Sequence, residues 1–148
     1  MNLMPTDTAH LYWDAAWERA DNISPWIMPE PWAIDHASTL PTGARILDLG
    51  AGIGRHALAF AEMGHAVTAL DASETAIAAV EAAAFARNQT VDAVQALMTD
   101  LPFDTASFDH VLAWNVIYHG DESIVRRTLA EIARVLRPGG SFLATMLS

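Results

Sequence analysis

The chain has 148 residues, 52% of them hydrophobic and 18% charged, which suits one domain with a substantial hydrophobic core. Eighteen acidic residues against eight arginines give a net charge of -10, which excludes a nucleic acid substrate held by a broad basic face. Because cysteine is absent, disulfides, thiolate metal sites and a cysteine nucleophile are excluded as well. The sequence has neither a leader pattern nor an apolar run of membrane-span length, so we expect a cytoplasmic protein without a membrane partner.

Aromatic residues crowd the N-terminal segment. Its first half has a helical pattern in which Trp13 and Trp17 share one face, and a second helix is expected from about Trp32 to Leu40. The aromatic helix can pack on the rest of the domain. Alternatively it can act as a lid, in which Tyr12, Trp13 and Trp17 cover a bound ligand and exclude water. The expected domains are residues 1–42, a helical aromatic cap, and residues 43–148, the core.

A strand, a glycine-rich turn and a helix follow one another from position 45. Arg45 to Leu49 is aliphatic enough for a strand buried on both faces. Gly50, Gly52 and Gly54 permit positive φ and let a backbone approach a ligand closely, and a helix is expected from about Gly54. This order is typical of nucleotide-binding folds. A dinucleotide fingerprint would need its last glycine at position 55, where the chain has Arg55, so that match is partial.

The second strand candidate, His65 to Leu70, ends in Asp71. Asp71 stands near the interval at which nucleotide folds place a carboxylate that accepts from the ribose hydroxyls, although a solvated acid at a strand end is the alternative. Ser73 is a candidate cap for a helix from Glu74 to about Asn88. Its expected inward residues are Ile77, Val80, Ala84 and Phe85.

The C-terminal half contains three more strand candidates. Val91 to Leu97 is the third, Ala106 to Asn115 the fourth and Ser141 to Leu147 the fifth. Between the last two, Asp121 can cap a helix that runs to Leu136. Its expected inward residues are Ile124, Leu129, Ile132 and Leu136.

Four stretches in this order resemble motifs of the class I S-adenosylmethionine-dependent methyltransferases. They are Asp48-x-Gly50-x-Gly52-x-Gly54, Asp100-Leu101 after the third strand, Phe108-Asp109 in the fourth, and Leu136-Arg137-Pro138-Gly139-Gly140 before the fifth. The resemblance implies an α/β fold: a doubly wound, Rossmann-like, mostly parallel sheet of order 3-2-1-4-5, with helices on both faces and an N-terminal helical lid. It also implies S-adenosylmethionine along the carboxyl ends of the strands, with S-adenosylhomocysteine as the product.

The same resemblance implies roles for particular residues. Asp71 would hold the ribose, Asp100 would accept from the adenine amine while the backbone of Leu101 contacts the ring, and the end of the fourth strand would border the methyl group. The residues expected to bind the cofactor are Asp48, Gly50, Ala51, Gly52, Asp71, Ala72, Asp100, Leu101, Trp114 and Asn115.

His119 is the one histidine placed to meet a substrate just past the fourth strand. It is therefore a candidate base, although a packing or loop role is an equal alternative. The other histidines show no spacing typical of metal ligands, and we expect no metal site. The predicted function is in-line methyl transfer to a small-molecule acceptor. The alternatives are an NAD-dependent oxidoreductase and a non-catalytic cofactor-binding module.

Members of that family usually continue beyond the fifth strand, whereas this chain stops at Ser148. We therefore expect a core that is short at its C-terminus. The fifth strand would then be an apolar edge, along which a second copy could pair to give a homodimer.

Overall fold

The computed structural model describes residues 28–117 and 120–146. Within these ranges five parallel strands form one sheet in the order β3-β2-β1-β4-β5. The strands are β1 (Arg45–Leu49), β2 (Ala66–Asp71), β3 (Val91–Gln95), β4 (Phe108–Ala113) and β5 (Leu136–Ala144). The predicted strand order is confirmed. Because the order reverses between β1 and β4, a crevice is expected at the carboxyl ends of these two strands.

Helices cover both faces of the sheet in the described ranges. They are α1 (Pro31–Ser38), α2 (Arg55–Glu62), α3 (Glu74–Ala86) and α4 (Glu122–Val135). Ile46 of β1 points into a core shared with α1, α2 and α3, whereas its neighbour Leu47 points into a second core shared with α4. This alternation of side chains between the two faces produces the doubly wound architecture.

No helix in the described ranges is both long enough and apolar enough to cross a membrane.

Side-chain caps begin two of the helices where the sequence predicts them. The Ser73 hydroxyl accepts from the backbone N–H of Ala76 at 3.1 Å, at the start of α3. The Asp121 carboxylate accepts from the backbone N–H of Ile124 at 3.0 Å, at the start of α4. Both bonds satisfy N–H groups that have no partner within the helix, and both predicted caps are confirmed.

The fifth strand starts earlier than its pattern predicts. Residues 141–147 were the expected strand, but β5 begins at Leu136, directly after α4. Leu136 pairs with Phe108, and residues 137–140 then bulge out of the ladder before pairing resumes. Gly140 fits this bulge because a Cβ there would lie 2.9 Å from the backbone oxygen of Asp109. The Pro-Gly-Gly sequence thus forms a β-bulge within the strand.

Helix α1 belongs to the main core of the domain. Ala33 and Ala37 are fully buried and share one hydrophobic cluster with Ile46, Val67 and Leu112 of the sheet. The described part of the predicted cap therefore packs directly on the sheet. The aromatic helix predicted before it lies outside the described residues.

Candidate functional site

The glycine turn sits on the carboxyl end of β2. The backbone N–H groups of Gly50 and Ala51 both donate to the carbonyl oxygen of Leu70, at 2.8 and 2.9 Å. Gly50 has a φ of +70°, and a Cβ there would lie 2.4 Å from a methyl carbon of Val116. The close approach that requires glycine at this position is therefore made by Val116, which follows β4.

Asp71 is hydrogen-bonded to the same turn. One of its carboxylate oxygens accepts from the backbone N–H of Gly52 at 2.9 Å, and the other accepts from the backbone N–H of Ser73 at 2.9 Å. Two backbone donors fix the orientation of the carboxylate at the carboxyl end of β2. The structure thus brings together Gly52 and Asp71, two residues that the sequence places 19 positions apart.

Asp48 belongs to β1, and its side chain lies beneath the turn, next to the first turn of α2. The N-cap of α2 is Gly54, which has no side chain to satisfy the first-turn N–H groups, and Asp48 of β1 instead accepts from the backbone N–H of Ala57. The residue is buried, with only 2% of its surface exposed. Its Oδ2 atom has no hydrogen-bond partner in the described part of the chain.

Burial dominates the titration of this acid. It raises the pKa of Asp48 from 3.8 to about 7, and the nearby carboxylate of Asp71 pushes in the same direction. The hydrogen bond from Ala57 and the positive charge of Arg55 oppose the rise. Near neutral pH, Asp48 is therefore balanced between its neutral and ionised forms.

The first turn of α2 is held by residues that precede α1. Arg55 forms an ion pair with Glu30 at 3.6 Å and donates to the backbone oxygen of Met28 at 3.2 Å. The Nε2 atom of His56 accepts from the backbone N–H of Glu30 at 3.0 Å. Burial, with the charge of Arg55, lowers the pKa of His56 to about 4, so its ring is neutral. That ring lies 6.0 Å from the ring of Trp114, which places the end of β4 beside α2.

Asn115 is locked to the residue that follows β5. Its φ is +57°, a conformation that asparagine tolerates better than most residues. Its backbone N–H donates to Oγ1 of Thr145 at 2.7 Å, and that hydroxyl donates to Oδ1 of Asn115 at 2.8 Å. Thr145 was not predicted as a site residue. The only feature of the sequence that could have indicated Thr145 is that it is a short polar residue at the end of the strand next to β4.

Leu101, the residue after Asp100, is hydrogen-bonded to α4. The backbone N–H of Leu101 donates to Glu131 at 2.8 Å, and its carbonyl oxygen accepts from Arg134 at 2.9 Å. Arg134 also forms an ion pair with Glu131 at 2.8 Å, and the exposed Asp100 contributes to the electrostatic environment of this arginine. The predicted contacts of Asp100 and Leu101 with an adenine ring stay predictions.

Another polar residue stands beside Asp71. The side-chain Nε2 of Gln95, the last residue of β3, donates to the carbonyl oxygen of Ala72 at 3.3 Å. The next backbone N–H, from Ala96, donates to the carbonyl oxygen of Asp71 at 3.2 Å. Gln95 was not predicted as a site residue, and its only sequence signal is its place at the end of the strand that neighbours β2.

Some predicted site residues lie outside the described ranges: His119, Tyr12, Trp13 and Trp17. Within the described ranges, no three histidine, aspartate or glutamate side chains are grouped so that they could hold a metal ion.

Known proteins share this sequence pattern and fold. Residues 46–140 match the profile of a methyltransferase domain family. The chain is 44% identical over 100 residues to demethylmenaquinone methyltransferase from Clavibacter sepedonicus, covering 66% of this chain and 39% of that protein. It is 34% identical over 137 residues to cypemycin N-terminal methyltransferase from a Streptomyces species, covering 88% of this chain and 54% of that protein.

A solved structure agrees over nearly the whole chain. It was reported under the heading "Conversion of a Disulfide Bond into a Thioacetal Group during Echinomycin Biosynthesis", and it superposes with a TM-score of 0.80 at 26% identity. The match covers 91% of this chain and 59% of that one. The chain thus spans 39% and 54% of the two sequence relatives and 59% of this structural neighbour.

Proposed function

The chain belongs to the class I S-adenosylmethionine-dependent methyltransferases, and from this membership we propose that it transfers a methyl group from S-adenosylmethionine to a small-molecule acceptor. The observation that carries the proposal is the pair of carboxyl groups at the glycine turn. Asp71 is hydrogen-bonded to the turn itself, and Asp48 lies directly beneath the turn. Both groups favour a positively charged ligand in the crevice.

The placement of Asp48 distinguishes this donor from NAD. In dinucleotide folds, a pyrophosphate binds the N–H groups at the start of the helix that follows the glycine turn. Here the carboxyl group of Asp48 already accepts from Ala57 in the first turn of α2. A pyrophosphate would meet this acid at close range, whereas a sulfonium cation would be attracted to it. The charges therefore support a methyl donor over a nicotinamide cofactor.

The residues around Asp71 fit the donor. Its carboxylate is held by two backbone N–H groups, so it faces the crevice in one orientation, as a partner for two ribose hydroxyls must. Gly50, Ala51 and Gly52 would line the donor from below, Ala72 would flank the ribose, and Trp114 and Asn115 would border the methionine end. All of these residues lie on the turns that follow β1, β2 and β4.

When bound, S-adenosylmethionine supplies a methyl group on a positively charged sulfur, and in-line transfer to an acceptor lone pair leaves the neutral thioether S-adenosylhomocysteine. Ionised Asp48 would favour the cationic donor over the neutral product, which assists product release. Asp71 would orient the donor through the ribose, and His56 and Trp114 would keep water from that side of the turn.

Residues outside the described ranges complete the proposal. His119 would take the proton from an acceptor that arrives protonated, and Tyr12, Trp13 and Trp17 would form a lid over the site. The acceptor is proposed only as a class. The two sequence relatives are named for demethylmenaquinone and for the N-terminus of cypemycin, so relatives of this chain differ in the molecule that they modify.

We include self-association in the proposal. β5 is an edge strand of the described sheet, and Phe142 and Met146 near its end are 39% and 56% exposed. An exposed apolar edge is suited to pairing with a second copy. Sedimentation of the intact chain tests this point: a dimer that Phe142→Asp dissociates is expected, and a monomer at all concentrations would contradict it.

Calorimetry and a transfer assay test the main proposal. We expect saturable binding of S-adenosylhomocysteine and none of NAD, whereas binding of NAD alone would refute the proposal. Transfer of a radiolabelled methyl group to a panel of small acceptors would then separate an enzyme from a non-catalytic binding module. Binding without transfer to any acceptor in the panel would favour the module.

A further inference from the structure

The chain leaves β4 through a backbone conformation that most residues avoid. Asn115, two residues after the end of β4, has a φ of +57°, whereas the residues of a strand have negative φ values. Such a conformation costs free energy and persists only where the surrounding contacts hold it. It lies at the carboxyl end of β4, where the strand order reverses and where ligands bind in folds of this kind. The contacts that hold Asn115 can therefore determine the shape of the crevice.

Thr145 is the residue that holds Asn115. The paired residues of β4 and β5 end with Ala113 and Ala144, and the backbone N–H of Thr145 then donates to the carbonyl oxygen of Ala113 at 3.3 Å. In a continued parallel ladder, the backbone N–H of Asn115 would next bond to a backbone carbonyl oxygen of the chain that continues β5. It donates instead to the hydroxyl of Thr145 at 2.7 Å, and that hydroxyl donates to Oδ1 of Asn115 at 2.8 Å. The side chain of Thr145 thus replaces the ladder and lets the chain turn away from β5.

The turn at Asn115 brings Val116 onto the glycine turn. The methyl carbons of Val116 lie where a side chain at Gly50 would be, 2.4 and 2.5 Å from the Cβ of such a residue. Ile117, the following residue, is 1% exposed and belongs to the core shared with α4. These three consecutive residues are therefore held in succession by the chain after β5, by the glycine turn and by the core.

Rotation of the backbone at Asn115 is the movement that Thr145 opposes. Consecutive Cα atoms are about 3.8 Å apart, so a return of Asn115 to an extended φ would displace Val116 by a few ångströms. Val116 would then leave Gly50, and the gap between the carboxyl ends of β1 and β4 would change in width. The methionine end of the donor is proposed to lie at that gap. The hydroxyl of Thr145 can therefore influence the affinity for the donor without touching it.

We propose that Thr145 is a positioning residue for the donor site, which keeps the backbone of Asn115 at positive φ and thereby keeps Val116 against the glycine turn. This inference rests on the proposed function, and it assigns a role to a residue outside the four motifs that resemble those of the family. Thr145 makes no contact with the donor and takes no part in the transfer of the methyl group.

Calorimetry with S-adenosylhomocysteine tests the assignment on the intact chain. Thr145→Val keeps the shape of the side chain and removes the hydroxyl, so it should bind this product about threefold to tenfold more weakly, as expected for the loss of partly buried hydrogen bonds. Thr145→Ser keeps the hydroxyl and should bind within about twofold of wild type. Thermal unfolding shows whether each variant is folded, and Thr145→Ala takes the place of Thr145→Val if the valine variant does not fold.

Two further comparisons separate positioning from a general loss of stability. Thr128→Val removes the hydroxyl that donates to the carbonyl oxygen of Ile124 at 2.8 Å, and it should lower the stability but leave the affinity within about twofold of wild type. Val116→Ala should itself weaken binding. Adding Thr145→Val to Val116→Ala should weaken binding by less than about twofold more, because the side chain that Thr145 positions is then missing. A threonine that only stabilised the end of the strand would not produce this non-additivity.

The outcomes distinguish this inference from the proposed function. If wild type does not bind S-adenosylhomocysteine, the proposed function is refuted and the inference with it. If wild type binds and Thr145→Val binds equally well, the inference alone is overturned. It is also overturned if Thr128→Val weakens binding as much as Thr145→Val does, or if the loss caused by Thr145→Val is undiminished in the chain that carries Val116→Ala.

Discussion

The buried acid beneath the glycine turn makes stability depend on pH in a direction that is unusual for an aspartate. The pKa of Asp48 is raised from 3.8 to about 7. Between these values the folded chain keeps a proton that the unfolded chain releases, so the free energy of unfolding falls as the pH rises. Each unit is equivalent to about 1.36 kcal/mol, which gives a loss of about 2 kcal/mol between pH 5.5 and 7 and little more above pH 7.

Asp48→Asn isolates this effect. Asparagine keeps an oxygen that can accept from Ala57 and carries no titrating group, so the variant should lack the loss between pH 5.5 and 7. Urea unfolding followed by circular dichroism, at pH 5.5 and pH 8, gives the free energy of unfolding for both chains. The variant should gain about 2 kcal/mol relative to wild type over that interval. All other titrating groups are shared, so they cancel in the difference.

An exposed aspartate provides the matched control. Asp92→Asn makes the same chemical change on the surface of β3, and its stability relative to wild type should not vary over the interval. Parallel pH profiles for wild type and Asp48→Asn would refute the reasoning, because they would mean that Asp48 is ionised throughout and that its burial is compensated.

Four more predictions concern other residues of the chain. Gly50→Ala should lower the free energy of unfolding by more than about 2 kcal/mol, because Gly50 has a positive φ and the added Cβ would lie 2.4 Å from Val116. Adding Val116→Ala to this variant should restore part of the lost free energy, as measured by urea unfolding. Asp71→Ala should weaken binding of S-adenosylhomocysteine more than tenfold, or about 1.4 kcal/mol, in calorimetry, and unchanged affinity would place the ribose elsewhere. His119→Ala should slow methyl transfer without weakening donor binding, and wild-type turnover would exclude it as the base. Burial lowers the pKa of His110 to about 4, so the contribution of this histidine to the free energy of unfolding is lost as the pH falls from about 6.5 towards 4, opposite in sign to that of Asp48. The stability of His110→Gln relative to wild type should therefore increase over that interval in urea unfolding, and a constant difference would refute this assignment.

Local patterns were sufficient to locate the five strands, whereas the order of the strands in the sheet followed from the resemblance to the class I methyltransferases. β1 has the predicted limits, Arg45 to Leu49, because a run of aliphatic residues that ends in glycine has few alternatives in a parallel sheet. The same holds for the caps at Ser73 and Asp121, each of which is a short polar side chain at the start of a periodic segment. The limits of β1 and the two caps are set by residues that are close together in the sequence, so the sequence alone is enough to predict them.

Helix faces were predicted less well at their borders. Phe85 was expected to face inward with Ala84, but it is 89% exposed, since one step along a helix turns a side chain by 100°. On α4, Leu129 was expected to face inward but is 39% exposed, whereas its neighbour Thr128 is fully buried. Thr128 can be buried because its hydroxyl donates to the carbonyl oxygen of Ile124 at 2.8 Å. A prediction based only on the spacing of apolar residues does not identify such a buried threonine.

Contacts between distant segments were not predictable from spacing. The amphipathic pattern of α4 alone predicts a solvated arginine at position 134, yet Arg134 donates to the carbonyl oxygens of Leu101 and Phe103, at 2.9 and 2.7 Å. Nothing in the local pattern of α4 separates Arg134 from Arg126, which forms an exposed pair with Glu122. The difference arises only when the loop after β3 passes beside the last turns of α4.

Under the proposed function, Asp48 would meet a structural and a functional demand with one side chain. As the acceptor for Ala57 it replaces the missing side-chain cap of α2, a task that asparagine could perform without the cost of burying a charge. An aspartate at this position is therefore explained by its charge rather than by the cap. A cation bound above the turn would lower the pKa of Asp48 and recover part of the burial cost, so the same acid should make the empty chain less stable at neutral pH and the donor complex tighter. Asp48→Asn should then raise the stability of the chain and weaken its preference for S-adenosylmethionine over S-adenosylhomocysteine, two effects that a purely structural role for Asp48 would not link.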